Sequence, residues 1–181
     1  MRLVIGLAQI VALSLSFGLA LGLTMASPAA ALGTFPTVTA DDLNGVSKTL
    51  PADLPGEPTI VFVAYKRNQQ PDVNSWLNGL GLDPYRGAEF VEVPVVGQST
   101  KLIRSVVDNG MRSGITDTNM RGRTITLYEN VKFVNEPLGF KGRNKIRVLI
   151  VRQDGDVLWS TSGPATASGI AELQAAYAAA N

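Results

Sequence analysis

The chain has neither cysteine nor histidine among its 181 residues. Without thiols it forms no disulfide, has no thiolate nucleophile or Cys-x-x-Cys redox pair, and takes no lipid on cysteine. Without imidazole it lacks the commonest general base and the commonest metal ligand. Charge is also scarce. Charged residues make up 17% of the chain, and sixteen basic groups against fifteen acidic ones leave a formal charge of +1. That is no footprint for wrapping a polyanion, so no nucleic-acid partner is expected. The phosphate-loop pattern G-x-x-x-x-G-K-[ST], the nucleophile elbow G-x-S-x-G and the zinc pattern H-E-x-x-H do not occur. The carboxylate pairs Asp41-Asp42 and Asp154/Asp156 are explained by turns and supply too few oxygens for a calcium loop. No catalytic set, metal site or cofactor is assigned.

Apolar residues, by contrast, make up 45% of the chain, and many of them sit at its start. Met1-Arg2 precedes an uncharged stretch from Leu3 to Met25, followed by Ser27-Pro28-Ala29-Ala30-Ala31. A basic start, an apolar run and an A-x-A site describe a secretory signal peptide covering residues 1–31, cut after Ala31. The run is also long enough to span a bilayer, and a retained anchor is the competing reading; only then would the protein meet a membrane. On the first reading the protein is exported, and periplasmic if the cell is Gram-negative. Loss of Arg2 leaves residues 32–181 formally neutral, and they suffice for one domain stabilised by its core alone.

Within that domain Asp41 to Gly45 reads as a turn, and Pro51, Pro55 and Pro58 keep the following stretch irregular. Thr59 to Tyr65 is a continuous β-branched and aromatic run, the pattern of a central strand buried on both faces. Pro71 opens a helix to Leu80, with Val73, Trp76, Leu77 and Leu80 on one face and Gly79 and Gly81 ending it. Ala88 to Val96 is a second strand whose Pro94 marks an edge. Ser99 to Asn109 predicts a helix with Leu102, Ile103, Val106 and Val107 as its apolar stripe and Gly110 as its stop. Residues 111–123 read as a polar loop. Thr124 to Tyr128 predicts a strand, Glu129 to Leu138 a short helix with Phe133 and Val134 inward, and Lys145 to Val151 a strong strand. Asp154-Gly155 is a hairpin signal leading into Val157 to Thr161, and Ala165 to Ala180 is a final helix. The result is an α/β fold with a mixed sheet flanked by helices.

The strand Ile60 to Tyr65, the loop Lys66 to Pro71, the helix with Trp76, and the closing Val148 to Trp159 hairpin before Gly163-Pro164 and a helix resemble the thioredoxin-like superfamily over roughly residues 35–180. The resemblance implies a thioredoxin-like mixed sheet with a C-terminal β-hairpin and helix. Redox members place Cys-x-x-Cys where the first strand meets its helix; here that window reads Lys66-Arg67-Asn68-Gln69-Gln70. Their cis-proline has no counterpart in Arg143 to Ile146. A cysteine-less, redox-inactive member is therefore implied, with thiol–disulfide exchange and peroxidase chemistry excluded. Among subfamilies it is similar to the mitochondrial ATP-synthase assembly factors, through the hairpin-helix ending and the missing redox site.

Lys66, Arg67, Asn68, Gln69 and Gln70 lie at the end of a central strand, where open α/β sheets bind ligands. Arg112, Arg121 and Arg123 would add a basic surface if their loop folds toward them, which suits an acidic partner segment. The plain alternative is a solvated loop and ordinary surface arginines paired with Asp108, Asp117 and Glu129. The expected role is binding of a protein or peptide partner. Two other roles stay open: a small-ligand or anion-binding protein, and an enzyme using carboxylate or lysine chemistry in the same cleft. The enzyme reading requires a buried, pKa-shifted group near residues 65–70.

Overall fold

A computed structural model describes residues 32–181, without the side chains of residues 99–101. The expected signal peptide, 1–31, lies outside the described residues. A small hairpin comes first, β1 (Val38–Asp41) against β2 (Ser47–Leu50). The Asp42 carboxylate accepts from the Asn44 and Val46 amides and fixes the turn between them. Strand β2 lies in a stretch expected to be irregular: its four residues are too few to carry a pattern.

The main sheet holds four strands in the order β4-β3-β5-β6. β3 (Thr59–Ala64) runs parallel to β4 (Phe90–Pro94) and antiparallel to β5 (Arg147–Val151), which pairs with β6 (Val157–Ser162). The residues Thr124 to Leu127 run alongside the outer edge of β4 in isolated parallel bridges rather than a full strand. The Ile125 and Leu127 amides donate to the carbonyls of Glu92 and Pro94.

Alternation along the strands splits the core in two. Val61, Val63, Val91, Val93 and Leu149 point to a face covered by Phe35, Leu50, Leu54 and Val134. Ile60, Phe62, Phe90 and Ile150 point to the face of α1 (Gln70–Leu80) and the C-terminal helix, to which Val73, Trp76 and Leu173 contribute. Trp76 is the keystone there: it stacks edge-on against Trp159 with centroids 6.2 Å apart, and its indole N–H donates to the Gly163 carbonyl at 2.9 Å. Gly79, expected to end α1, lies inside it; a Cβ there would sit 2.4 Å from Ile170 Cδ1, so close packing of the two helices explains it. The actual stop is Gly81, left-handed at φ 63°.

Between β4 and β5 the structure departs most from expectation. A 3₁₀ turn (Gln98–Ile103) leads into α2 (Arg104–Gly114), so the helix starts later and runs through Gly110. The polar loop is instead the end of α2 and a short helix α3 (Thr118–Gly122) capped by Asp117. α4 (Val131–Asn135) follows; Val134 is buried, but Phe133, expected inward, is exposed. The C-terminal helix α5 (Ala167–Ala180) is capped by Thr166, whose hydroxyl accepts from the Gly169 amide.

Candidate functional site

The strand β3 delivers its chain to Tyr65, where the backbone leaves the sheet, makes one 3₁₀ turn over Arg67–Gln69 and enters α1. Gln69 holds this turn together. Its buried side-chain oxygen accepts from the Tyr65 amide at 2.8 Å and the Lys66 amide at 3.2 Å, while its amide donates to the Arg143 carbonyl at 3.1 Å. Lys66 Nζ donates to Asn144 Oδ1 at 2.9 Å. The Tyr65 hydroxyl donates to Asn135 Oδ1, whose own amide donates to the Gly142 carbonyl. Burial raises the Tyr65 pKa, with Arg147 and Asn135 pulling it back. Of the five residues singled out in this loop, Gln69 is therefore committed inward and Lys66 is tethered, whereas Arg67, Asn68 and Gln70 are exposed.

Beside this loop a cleft of about 830 Å³ opens between α1 and α2, within the size range of ligand pockets. One wall is α1, through Val73 and Leu77; the other is α2 and its exit, through Val106, Val107, Met111 and Ile115. Lys66, Arg67 and Gln70 also line it, and Glu92 reaches it from β4.

Glu92 is the residue that sequence reasoning missed. It pairs with Phe62 in the parallel register and is only 7% exposed. Gln70 Nε2 donates to its Oε2 at 3.1 Å. Among the described residues this is its one side-chain hydrogen bond, and no cation forms an ion pair with it. Burial therefore pushes its carboxyl above the usual carboxylate range, and the Gln70 N–H offsets part of that. A signal was present in the sequence: an acid flanked by Val91 and Val93 inside an otherwise apolar strand.

The arginines do not join this cleft. Arg112 donates to the Leu43 carbonyl at 2.6 Å, tying α2 to the N-terminal hairpin's turn. Arg121 donates to the carbonyls of Ile115 and Arg112, closing the α2–α3 connection. Arg123 pairs with Glu89 at 2.7 Å, donates to the Phe90 carbonyl and lies 4.9 Å over the Phe90 ring. The expected basic extension of residues 66–70 is thus corrected: these guanidiniums are spent on backbone carbonyls and on Glu89. Their expected partners are engaged elsewhere too, Asp108 with Tyr128 and Arg104, Asp117 with Tyr85 and the Met120 amide, and Glu129 with Gln98.

The apolar stripe of the α2 region is corrected as well. Leu102 is 96%, Ile103 51% and Val106 68% exposed, and α2 has no buried residue. What holds the helix is polar. Tyr128 donates to Asp108 Oδ1 at 2.7 Å, and Arg104 pairs with Asp41 at 3.0 Å and lies over the Tyr128 ring.

Solved structures share this architecture. A candidate electron transfer protein from Aquifex aeolicus VF5 superposes with a TM-score of 0.56 at 16% identity, covering 82% of this chain and 97% of that one. The thioredoxin domain of a thiol-disulfide oxidoreductase from Bacteroides vulgatus gives 0.52 at 17% identity, covering 81% and 96%. BsSco, a member of the Sco family of cytochrome c oxidase assembly proteins, gives 0.53 at 11% identity, covering 83% and 95%. The chain has a thioredoxin-like fold. It is a cysteine-free version of that fold, so the thiol chemistry of the oxidoreductase neighbours has no atoms to work with here. No family model matches the sequence, and no curated protein matches it.

Proposed function

We propose that this protein is an exported, redox-inactive thioredoxin-like domain that holds an extended segment of a partner protein in the cleft between α1 and α2, in an assembly or chaperone-like role. The observation that carries the reading is the cleft itself. Its walls are largely aliphatic, it opens beside the loop where redox members of the fold keep their cysteines, and it includes the exposed Val106, which follows the exposed Leu102 and Ile103 in the chain. Large aliphatic side chains exposed close together in the chain are a mark of interaction surfaces. That BsSco belongs to a family of assembly proteins fits this use of the fold, and the N-terminal sequence of residues 1–31 supports export.

A second reading has one observation in its favour. The acid–base enzyme considered above requires a buried carboxyl near residues 65–70, and Glu92, bonded to Gln70, is one. Partner binding is the better account, because, of the other ionisable side chains at the cleft, Lys66 and Arg67 are exposed and Tyr65 bonds Asn135, and none of the three forms a hydrogen-bonded dyad with Glu92.

The test places a photo-crosslinking amino acid at position 106 and, as control, at exposed Ala178 in the full-length chain, in cells that make the protein. Adducts identified by mass spectrometry and reproduced with the purified partner are expected from position 106 alone. Filling the cleft should abolish them: a Cβ at Gly110 meets nothing within 4 Å, so Gly110→Trp occupies the space without a clash at its Cβ. Equal adducts from both positions, or adducts unaffected by Gly110→Trp, contradict the reading.

A further inference from the structure

A carboxyl that a fold buries is ordinarily paired, because an unpaired charge in an apolar setting is expensive. Glu92 departs from that rule. Its Oε2 has one neutral donor, the Gln70 amide, while the side chain faces an open cleft walled by Val73, Leu77, Val106, Met111 and Ile115, with Lys66 and Arg67 also lining it. No described lysine or arginine forms an ion pair with it. Arg123 is turned onto Glu89 and Phe90, and Arg121 and Arg112 onto backbone carbonyls, while Arg67, which lines the cleft, forms no ion pair with Glu92. The chain thus leaves a buried carboxylate with a single neutral donor in a cleft whose walls are largely aliphatic.

We infer that Glu92, oriented by Gln70, is the specificity-determining residue of the cleft and takes the cationic end of a lysine or arginine side chain from a partner segment whose neighbouring residues are aliphatic. This rests on the partner-binding reading above and names what that binding selects. A long basic side chain suits such a site twice over: its methylene stem packs along the aliphatic walls while its charged head reaches the carboxylate. The cations Lys66 and Arg67 are exposed, and Lys66 is tethered to Asn144, so water and salt screen their repulsion; the interaction with Glu92 takes place in an apolar surrounding and is screened far less. An acidic segment would meet the opposite balance, with weak solvated attraction at the rim and strong repulsion at the floor.

The experiment selects a phage-displayed random heptapeptide library on the immobilised full-length chain in mild detergent, and in parallel on Glu92→Gln. Wild type is expected to enrich peptides with a lysine or arginine between valine, leucine or isoleucine residues. The Glu92→Gln pool is expected to lose the basic residue, and the selected peptide to bind that variant roughly tenfold or more weakly. A synthetic peptide with norleucine in place of its lysine keeps the stem and removes the charge. It should lose a similar factor on the unaltered protein, which makes the result independent of how the variant folds. Enriched peptides with no basic residue, or equal affinity for lysine and norleucine peptides, overturn the inference while leaving peptide binding in place. No enrichment on wild type overturns both.

Discussion

Helices α1 and α2 are each eleven residues long and face each other across the cleft, yet they are attached to the molecule in opposite ways. α1 is held by apolar burial: Val73 and Trp76 are nearly inaccessible, and Gly79 lets α5 press against it. α2 buries no residue and is held by polar ties, from Tyr128 to Asp108, Arg104 to Asp41 and Arg112 to Leu43. A helix secured by its polar side has its apolar side left over. The difference teaches that α1 belongs to the scaffold, whereas α2 keeps large aliphatic side chains that a marginally stable domain ordinarily spends on its core, as the proposed binding surface requires.

The contrast is open to direct attack. Trp76→Ala is expected to cost the most, about 3–5 kcal/mol from the lost side chain and the cavity left behind, read as a lower urea midpoint for the whole domain. Tyr128→Phe removes one hydrogen bond to a carboxylate, roughly 1.5–3 kcal/mol, and its effect should be local: faster amide hydrogen exchange along α2 with α1 unchanged. Acceleration spread evenly over both helices would erase the distinction.

The floor of the cleft gives a pH test. Burial holds the Glu92 proton above the ordinary value of 4.5, so the folded chain binds that proton where the unfolded chain has released it. Stability contributed this way is present below about 4.5 and is lost as pH rises through the folded-state pKa. Glu92→Gln removes this loss: denaturant titrations should show the variant more stable than wild type at pH 7, with the two curves converging at acid pH. A variant less stable than wild type at pH 7 would mean that Glu92 serves the fold rather than a ligand. The smallest expected effect on stability belongs to Val106→Ser, within about 0.5 kcal/mol in the same titrations, because the side chain is already in water. Its loss of affinity for a peptide selected on the unaltered chain should nevertheless be among the largest.

Much of the scaffold was legible in the sequence. The β3 run, the α1 face, the Asp154-Gly155 hairpin and the closing helix follow from periodicity and turn chemistry, because each of these segments spends its apolar residues on the core. The same logic misplaced α2. Leu102, Ile103, Val106 and Val107 have helical spacing, and spacing alone does not distinguish a face turned to the core from one left exposed. Arg112, Arg121 and Arg123 read as free charge because their acceptors are largely backbone carbonyls distant in sequence, Leu43 and Phe90 among them, and these leave no trace in charge patterning. Residues 66–70 lie between β3 and α1, where the sequence places a polar connection, but Gln69 turns inward, and the neighbouring Glu92 lies in a strand where an acid is read past.

The most direct test of the account follows backbone amide resonances of the full-length chain as a peptide selected on it is added. The account predicts shifts concentrated at Gln70, Glu92 and along Val106 to Ile115, with α5 and the Asp154-Gly155 hairpin unmoved. Shifts centred on α5, or on the 139–145 connection with the cleft silent, would contradict it.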